Sequence, residues 1–143
     1  MRLTSFTDFS LRVLTYVGAK GDRLSTIDEI SDAYGISRNH VMKVVFRLGQ
    51  LHYLETIRGK TGGMRLSRDP ETINLGRLVR DMEENLDLVE CMAGGNCCIE
   101  PACTLKGILN ESLRAFLSVL DRYTLADLLR PQKRLKTLLS IPA

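Results

Sequence analysis

A mainly α-helical fold carrying one small β-hairpin is predicted by three observations. Apolar residues recur at helical spacing in three successive stretches before residue 52. The segment HYLETIRGKTGGMRLSRD, residues 52–69, then turns extended in character around a run of glycines. Towards the C-terminus, a long apolar stripe at helical spacing occupies residues 104–122. At 143 residues the chain is one ordinary domain, able to bury roughly 68% of the surface it exposes when unfolded.

The first helix is predicted over residues 7–20, where Phe9, Val13, Leu14 and Val17 share a face and Gly21 supplies the stop. In STIDEISDAYGIS, Ser25 or Thr26 can cap a second, short helix, with Asp28 or Glu29 three residues on. Gly35 falls where a left-handed residue would end that helix. Ser37 caps a third helix whose Val41, Val44, Val45, Leu48 and Leu51 form one apolar stripe. Two helices joined by a tight glycine turn make a helix-turn-helix, with Ile30, Tyr34, Ile36, Val41 and Val44 as its inter-helix contacts. The opposite face of the third helix shows Arg38, Asn39, Lys43 and Arg47, with His40 beside them near its start. That is where a recognition helix meets base edges.

The hairpin that follows has Tyr53, Leu54, Thr56 and Ile57 in its first strand and Met64 to Leu66 in its second. Arg58, Lys60 and Arg65 stand around the glycines of the turn, which let a backbone approach phosphate closely. A basic hairpin after a recognition helix is the wing of a winged helix-turn-helix, which reaches the neighbouring minor groove. Residues 1–70 are therefore read as a DNA-binding domain. Its candidate contacts to double-stranded DNA are Ser37, Arg38, Asn39, His40 and Lys43 on the helix, and Arg58, Lys60 and Thr61 on the wing.

Charge divides along the same line. Residues 1–68 carry 11 Lys and Arg against 6 Asp and Glu, residues 69–103 carry 2 against 8, and residues 104–143 carry 7 against 3. The basic N-terminal part suits phosphate and the acidic middle does not. Residues 71–103 are predicted to form a short helix, from about Asn74 to Glu84 with Leu75, Leu78, Val79 and Met82 on one face, and then a loop. Residues 104–143 hold a helix predicted to be the longest of the chain, lined by Leu105, Ile108, Leu109, Leu113, Phe116, Leu117 and Leu120. Such a stripe at the far end of a small domain has little left to pack on within one subunit, so a partner helix from a second copy, giving a homodimer, is expected, alongside or in place of packing back on the first helix. Thr124, with Asp127 three residues on, caps a last short helix. The basic tail PQKRLKTLL is expected to be partly loose.

All four cysteines lie in ECMAGGNCCIEPACTL, residues 90–105. The N-terminus lacks the apolar core of a secretory signal, and no apolar run approaches the roughly 18 residues of a membrane span. A cytoplasmic chain is expected, and in a reducing compartment clustered thiols more often hold metal or do redox chemistry than form disulfides. Cys91, Cys97 and Cys103 are separated by five residues each, with Gly94, Gly95 and Pro101 allowing the loop to fold round a centre. Cys98, adjacent to Cys97, points elsewhere in an extended backbone. A closed zinc site prefers four protein ligands, yet both histidines, His40 and His52, lie in the DNA-binding half. Iron-sulfur cluster, zinc and reactive thiol stay open on spacing, with the cluster first. No nucleophile-base pair, phosphate loop or nucleotide motif stands out, so the chain is not read as an enzyme.

Together RNHVMKVV, TIRGKTGG, the cysteine loop ending IEPACTLK, and AFLSVLDRYTLADL resemble the iron-sulfur winged-helix transcription regulators, and in particular the nitric-oxide-sensing repressors of that family. The resemblance runs from residue 1 to about Leu129. It implies a homodimer with crossed long helices and an iron-sulfur cluster in each cysteine loop. Cys91, Cys97 and Cys103 match the family's thiolate ligands, and Asp8 matches a carboxylate that reaches the cluster from the other subunit. Read without the family, Asp8 is an acid in the first turn of a helix, favourable for its dipole. Regulators of cluster assembly in the same family carry a His three residues after the last cysteine, where this chain has Lys106, an ammonium that cannot ligate. The resemblance thus implies a repressor released from its operator by nitric oxide, with a four-iron cluster (4Fe-4S) favoured over a two-iron one. The alternatives are a regulator responding to cluster status or iron, and a winged helix with structural zinc.

Overall fold

The structure, a computed structural model, describes residues 2–143. Its first helix, α1 (Ser5–Lys20), begins two residues before the apolar pattern does because Thr4 caps it, the hydroxyl accepting from the Thr7 N–H at 3.3 Å. Thr26 rather than Ser25 caps α2 (Ile27–Tyr34), in a capping box with Glu29. Gly35 ends α2 in the left-handed region, at φ 64°, a conformation that favours glycine. Ser37 caps α3 (Arg38–Gln50) by accepting from the His40 N–H. Leu14 and Val17 of α1, Ile30 of α2, and Val41, Val44 and Leu48 of α3 are fully buried, so the three helices share one core.

β1 (Leu54–Ile57) pairs antiparallel with β2 (Gly63–Leu66), in a register that sets Leu54 opposite Leu66 and Ile57 opposite Gly63. Ser25 adds a bridge to Met64 from the far side, with N–H to carbonyl distances of 2.9 and 2.8 Å. A Cβ on Gly63 would sit 2.6 Å from the Ser25 carbonyl oxygen, so this close crossing requires glycine. A single 3-10 turn at Pro70–Thr72 leads to α4 (Leu75–Met82), which Asn74 caps and which buries Leu75, Leu78, Val79 and Met82.

Past α4 no residue is fully buried until α5 (Leu105–Leu120). At 16 residues α5 equals α1, so it is not the longest helix as predicted: Asp121 and Arg122 fall outside it. Leu117 is its only buried residue, whereas Leu105 and Ile108 are each 56% exposed. The capping box of Thr124 and Asp127 starts α6 (Leu125–Leu129), which fixes the fully buried Leu125 beside Ile73.

The tail is a correction to the sequence reading. It forms α7 (Gln132–Leu138) and docks on the C-terminal end of α1 instead of hanging loose. Leu139 and Ile141 enter the core and Leu135 packs at its edge, while Arg23 donates to the carbonyl of Pro142 and Gln132 reaches that of Ala19. The basic run hides three apolar anchors that are enough to hold it. Among the described residues, no helix is long and apolar enough to cross a membrane.

Candidate nucleic-acid interface and cysteine loop

The two ends of α2 and α3 aim the candidate DNA contacts. Capping by Ser37 sets the start of α3, and the buried Val41, Val44, Val45 and Leu48 turn Arg38, Asn39, His40, Lys43 and Arg47 to solvent. Arg38 is held by an ion pair with Asp28 in the first turn of α2, which orients its guanidinium and neutralises part of its charge. The His40 ring lies 5.9 Å from that of Phe9, centroid to centroid, and so leans on α1. Asn39 and Lys43 stand one turn apart on the exposed face of α3, and among the described residues neither side chain has a hydrogen-bond or ion-pair partner.

In the wing, Arg58, Lys60 and Thr61 are all exposed, around Gly59 at φ 119°. Arg65 behaves differently from the other wing cations, because the strand register places it opposite Glu55, and the two pair at 2.9 Å. Sequence reasoning missed Met42 and Phe46, 47% and 68% exposed on the same side of α3 as the cations. Their signal was present: both fall outside the 41, 44, 45, 48 stripe, and apolar side chains there can meet thymine methyl groups.

The four thiols are free and sit between α4 and α5 on a loop with no core of its own. A 3-10 turn at Glu90–Ala93, ended by Gly94 at φ 89°, carries Cys91, and another at Glu100–Ala102 precedes Cys103. These two cysteines are partly buried, while Cys97 and Cys98 are exposed. Lys106 donates to Glu100 at 2.8 Å, and its ammonium pKa is raised, chiefly by that bond and further by the Glu100 charge. The Lys106–Glu100 pair thus ties the start of α5 to the turn that precedes Cys103. Among the described residues, no three Cys, His, Asp or Glu side chains converge closely enough to hold a metal ion within one chain. The donor chemistry, three or four unpaired thiols on a yielding loop, fits thiolate ligation of a cluster.

Asp8 lies in the first turn of α1, half exposed, and binds Arg12 through two contacts of 3.1 and 2.9 Å. It borders a hollow with Arg2, Leu3, Ser5 and Leu11 and meets no cysteine of its own chain. A neighbouring groove of about 570 Å³ runs between Leu3, the start of the cysteine loop at Leu86 to Val89, and Leu109, Leu113 and Phe116 of α5.

Comparison with known proteins decides the family. The Rrf2 model, described as an iron-dependent transcriptional regulator, matches residues 3–131. The chain belongs to the Rrf2 family. It is 50% identical over 144 residues to the HTH-type transcriptional regulator NsrR of Bacillus subtilis, covering 99% of each chain, and 48% identical to that of Bacillus licheniformis, covering 98% of this chain and all of the other. Among solved structures, CymR, the global cysteine regulator of B. subtilis, matches with a TM-score of 0.73 at 24% identity over 90% of this chain and 95% of that one. T. potens IscR matches with a TM-score of 0.73 at 20% identity over 91% of this chain and 87% of that one. These Rrf2 neighbours share the winged-helix fold, and the relatives are named transcriptional regulators, so the chain is a regulator of transcription and not an enzyme.

Proposed function

We propose that this Rrf2 protein is a homodimeric repressor that binds an operator in double-stranded DNA and leaves it when nitric oxide reaches an iron-sulfur cluster. The observation that carries the reading is the placement of the four free thiols. They hang on a coreless loop between the DNA-binding half and α5, which leaves Leu105 and Ile108 of its apolar stripe uncovered within the chain. Cys91, Cys97 and Cys103 would hold the cluster, of the four-iron type, and Asp8 would reach it from the second subunit. When bound, the cluster supplies iron that takes up nitric oxide.

The chain's own residues account for the rest. Leu105, Ile108 and Val119 on the exposed side of α5, with the groove beside Leu113 and Phe116, offer the apolar surface that a second copy would cover. Arg38, Asn39, His40 and Lys43, with Ser37 at the cap, enter a major groove, and Arg58, Lys60 and Thr61 lie on the adjoining minor groove. Two half-sites must be engaged in register, so a small change in the angle between subunits lowers affinity. Losing one bidentate base contact already costs about 1–3 kcal/mol. Asp8 sits at the start of α1, the helix on which α3 packs, so a ligand bond there would tie the thiol loop of one subunit to the recognition helix of the other.

Anaerobic purification tests the reading. A brown protein with broad visible absorption, whose operator affinity collapses on titration with nitric oxide, supports it. A colourless protein with stoichiometric zinc, or an affinity indifferent to nitric oxide, contradicts it.

A further inference from the structure

Three links leave the end of α4 within four residues, each for a different element. Arg80 donates to both carboxylate oxygens of Asp121, at the end of α5, at 2.6 and 2.8 Å. Asp81 accepts from the Tyr53 hydroxyl, at the root of the wing, at 2.7 Å. Glu83 accepts from the N–H and the hydroxyl of Thr4, the cap of α1, at 2.7 and 3.1 Å. Met82 between them is buried. One short helix therefore touches the uncovered helix, the wing and the helix that carries Asp8, and the cysteine loop departs from its last link.

The Tyr53 link reaches the joint between recognition helix and wing. His52, between α3 and β1, has φ 59°, a left-handed conformation uncommon for a residue with a side chain. Arg68 braces this turn, donating to the carbonyls of Leu51 at 2.9 Å and His52 at 3.0 Å. Its guanidinium also lies 4.4 Å over the Tyr53 ring, and the Ser67 hydroxyl adds a further bond to His52. The Tyr53 N–H closes the turn on Leu48 of α3 at 2.9 Å, and its side chain is 2% exposed. Its hydroxyl is the part of this clamp that bonds α4. Arg77 Nε donates to both carboxylate oxygens of Asp81, at 2.9 and 3.1 Å, so the acceptor stays aimed.

We propose that the Tyr53–Asp81 hydrogen bond is the positioning link that sets the angle of the wing against the recognition helix, and that α4 carries the position of α5 and the cysteine loop to that joint. The first clause needs only a DNA-binding winged helix. The second rests on the reading under Proposed function.

Tyr53→Phe removes the hydroxyl and keeps the ring under Arg68. The probe is a duplex selected with the wild-type protein from a random-sequence pool. The expected result is a helical circular dichroism spectrum like that of the wild type, an affinity lower by about 10-fold, as for one hydrogen bond to a charged group, and a hydroxyl-radical footprint that loses its minor-groove flanks and keeps its major-groove centre. In the cluster-free protein, amides of β1 should exchange faster while those of α2 do not change. Asp81→Asn, with Tyr53 intact, keeps an acceptor and should retain most of the affinity, and Asp81→Leu repeats the loss from the other partner should Tyr53→Phe fail to fold. An unchanged footprint and affinity, or uniformly faster exchange throughout the chain, would overturn the proposal. For the second clause, the ratio of affinities with and without cluster should fall towards one in Tyr53→Phe. A wild-type ratio of one sinks the cluster reading itself, whereas a wild-type ratio that persists in the variant sinks only the relay through α4.

Discussion

Leu48 in α3 and Ile108 in α5 each lie on the apolar stripe of their helix, yet Leu48 is fully buried and Ile108 is 56% exposed. The difference extends to the regions around them. Between Ser5 and Met82 the helices and wing close on one another, and Val13, Leu14, Val17, Ile30, Val41 and Val44 have no exposure at all. From Glu83 to Leu120 the chain keeps one buried residue, Leu117, and leaves four thiols and the side of α5 that carries Leu105, Ile108 and Val119 open. The lesson is that the first region is complete within one chain, while the second has the composition of a core without its other half.

Substitutions that act differently on the two regions sharpen that contrast. The largest effect is expected from Leu48→Ala, which opens a cavity in a closed core and should cost about 2–5 kcal/mol, read as a large fall in Tm. Ile108→Ala should barely move the stability of a single chain. Ile108→Asp should instead convert dimers to monomers in sedimentation. If Leu48→Ala and Ile108→Ala lowered Tm equally, the contrast would fail. Next in size, Lys43→Ala and Asn39→Ala should each weaken operator binding by about 1–3 kcal/mol without altering Tm, as measured by titration at fixed salt.

Thr26→Ala removes one half of a capping box inside the closed region, and about 0.5–2 kcal/mol of stability should go with it. The same corner gives the closed region a pH dependence. Burial works to raise the Glu29 pKa, but hydrogen bonds from Lys20 and Thr26 outweigh it and hold the carboxyl below its usual 4.5. The stability it contributes is therefore present above about pH 4.5 and lost as pH falls through the lower folded value, in an acid unfolding titration that Glu29→Gln should flatten. The smallest effect is reserved for the open region: Cys98→Ala should leave the visible spectrum of the anaerobic protein as it was, whereas Cys103→Ser should abolish it.

The closed region was legible because its signals are local. Thr26 with Glu29, Gly35, Ser37 and the Val41, Val44, Val45 and Leu48 stripe each act within one or two turns, and the structure realises them, with Leu51, the last of the stripe, falling just past the end of α3 and only partly buried. The tail was misjudged for the opposite reason. Leu139 and Ile141 gain their meaning only from α1, far away in the chain, so a run of Lys and Arg looked solvated. Likewise, nothing near Tyr53 in the sequence points to Asp81, and the pairing of Arg65 with Glu55 depends on a strand register that the glycine turn leaves undetermined. Spacing singled out Cys91, Cys97 and Cys103, but one chain alone does not gather them.

The most direct test of a thiol-held centre that governs DNA binding is to measure the affinity of the cluster-loaded and stripped proteins for one selected duplex at matched ionic strength. The loaded dimer should bind at least 10-fold tighter, roughly one lost base contact per dimer, and nitric oxide should bring it down to the stripped value. Equal affinities for the two forms, unmoved by nitric oxide, would contradict this.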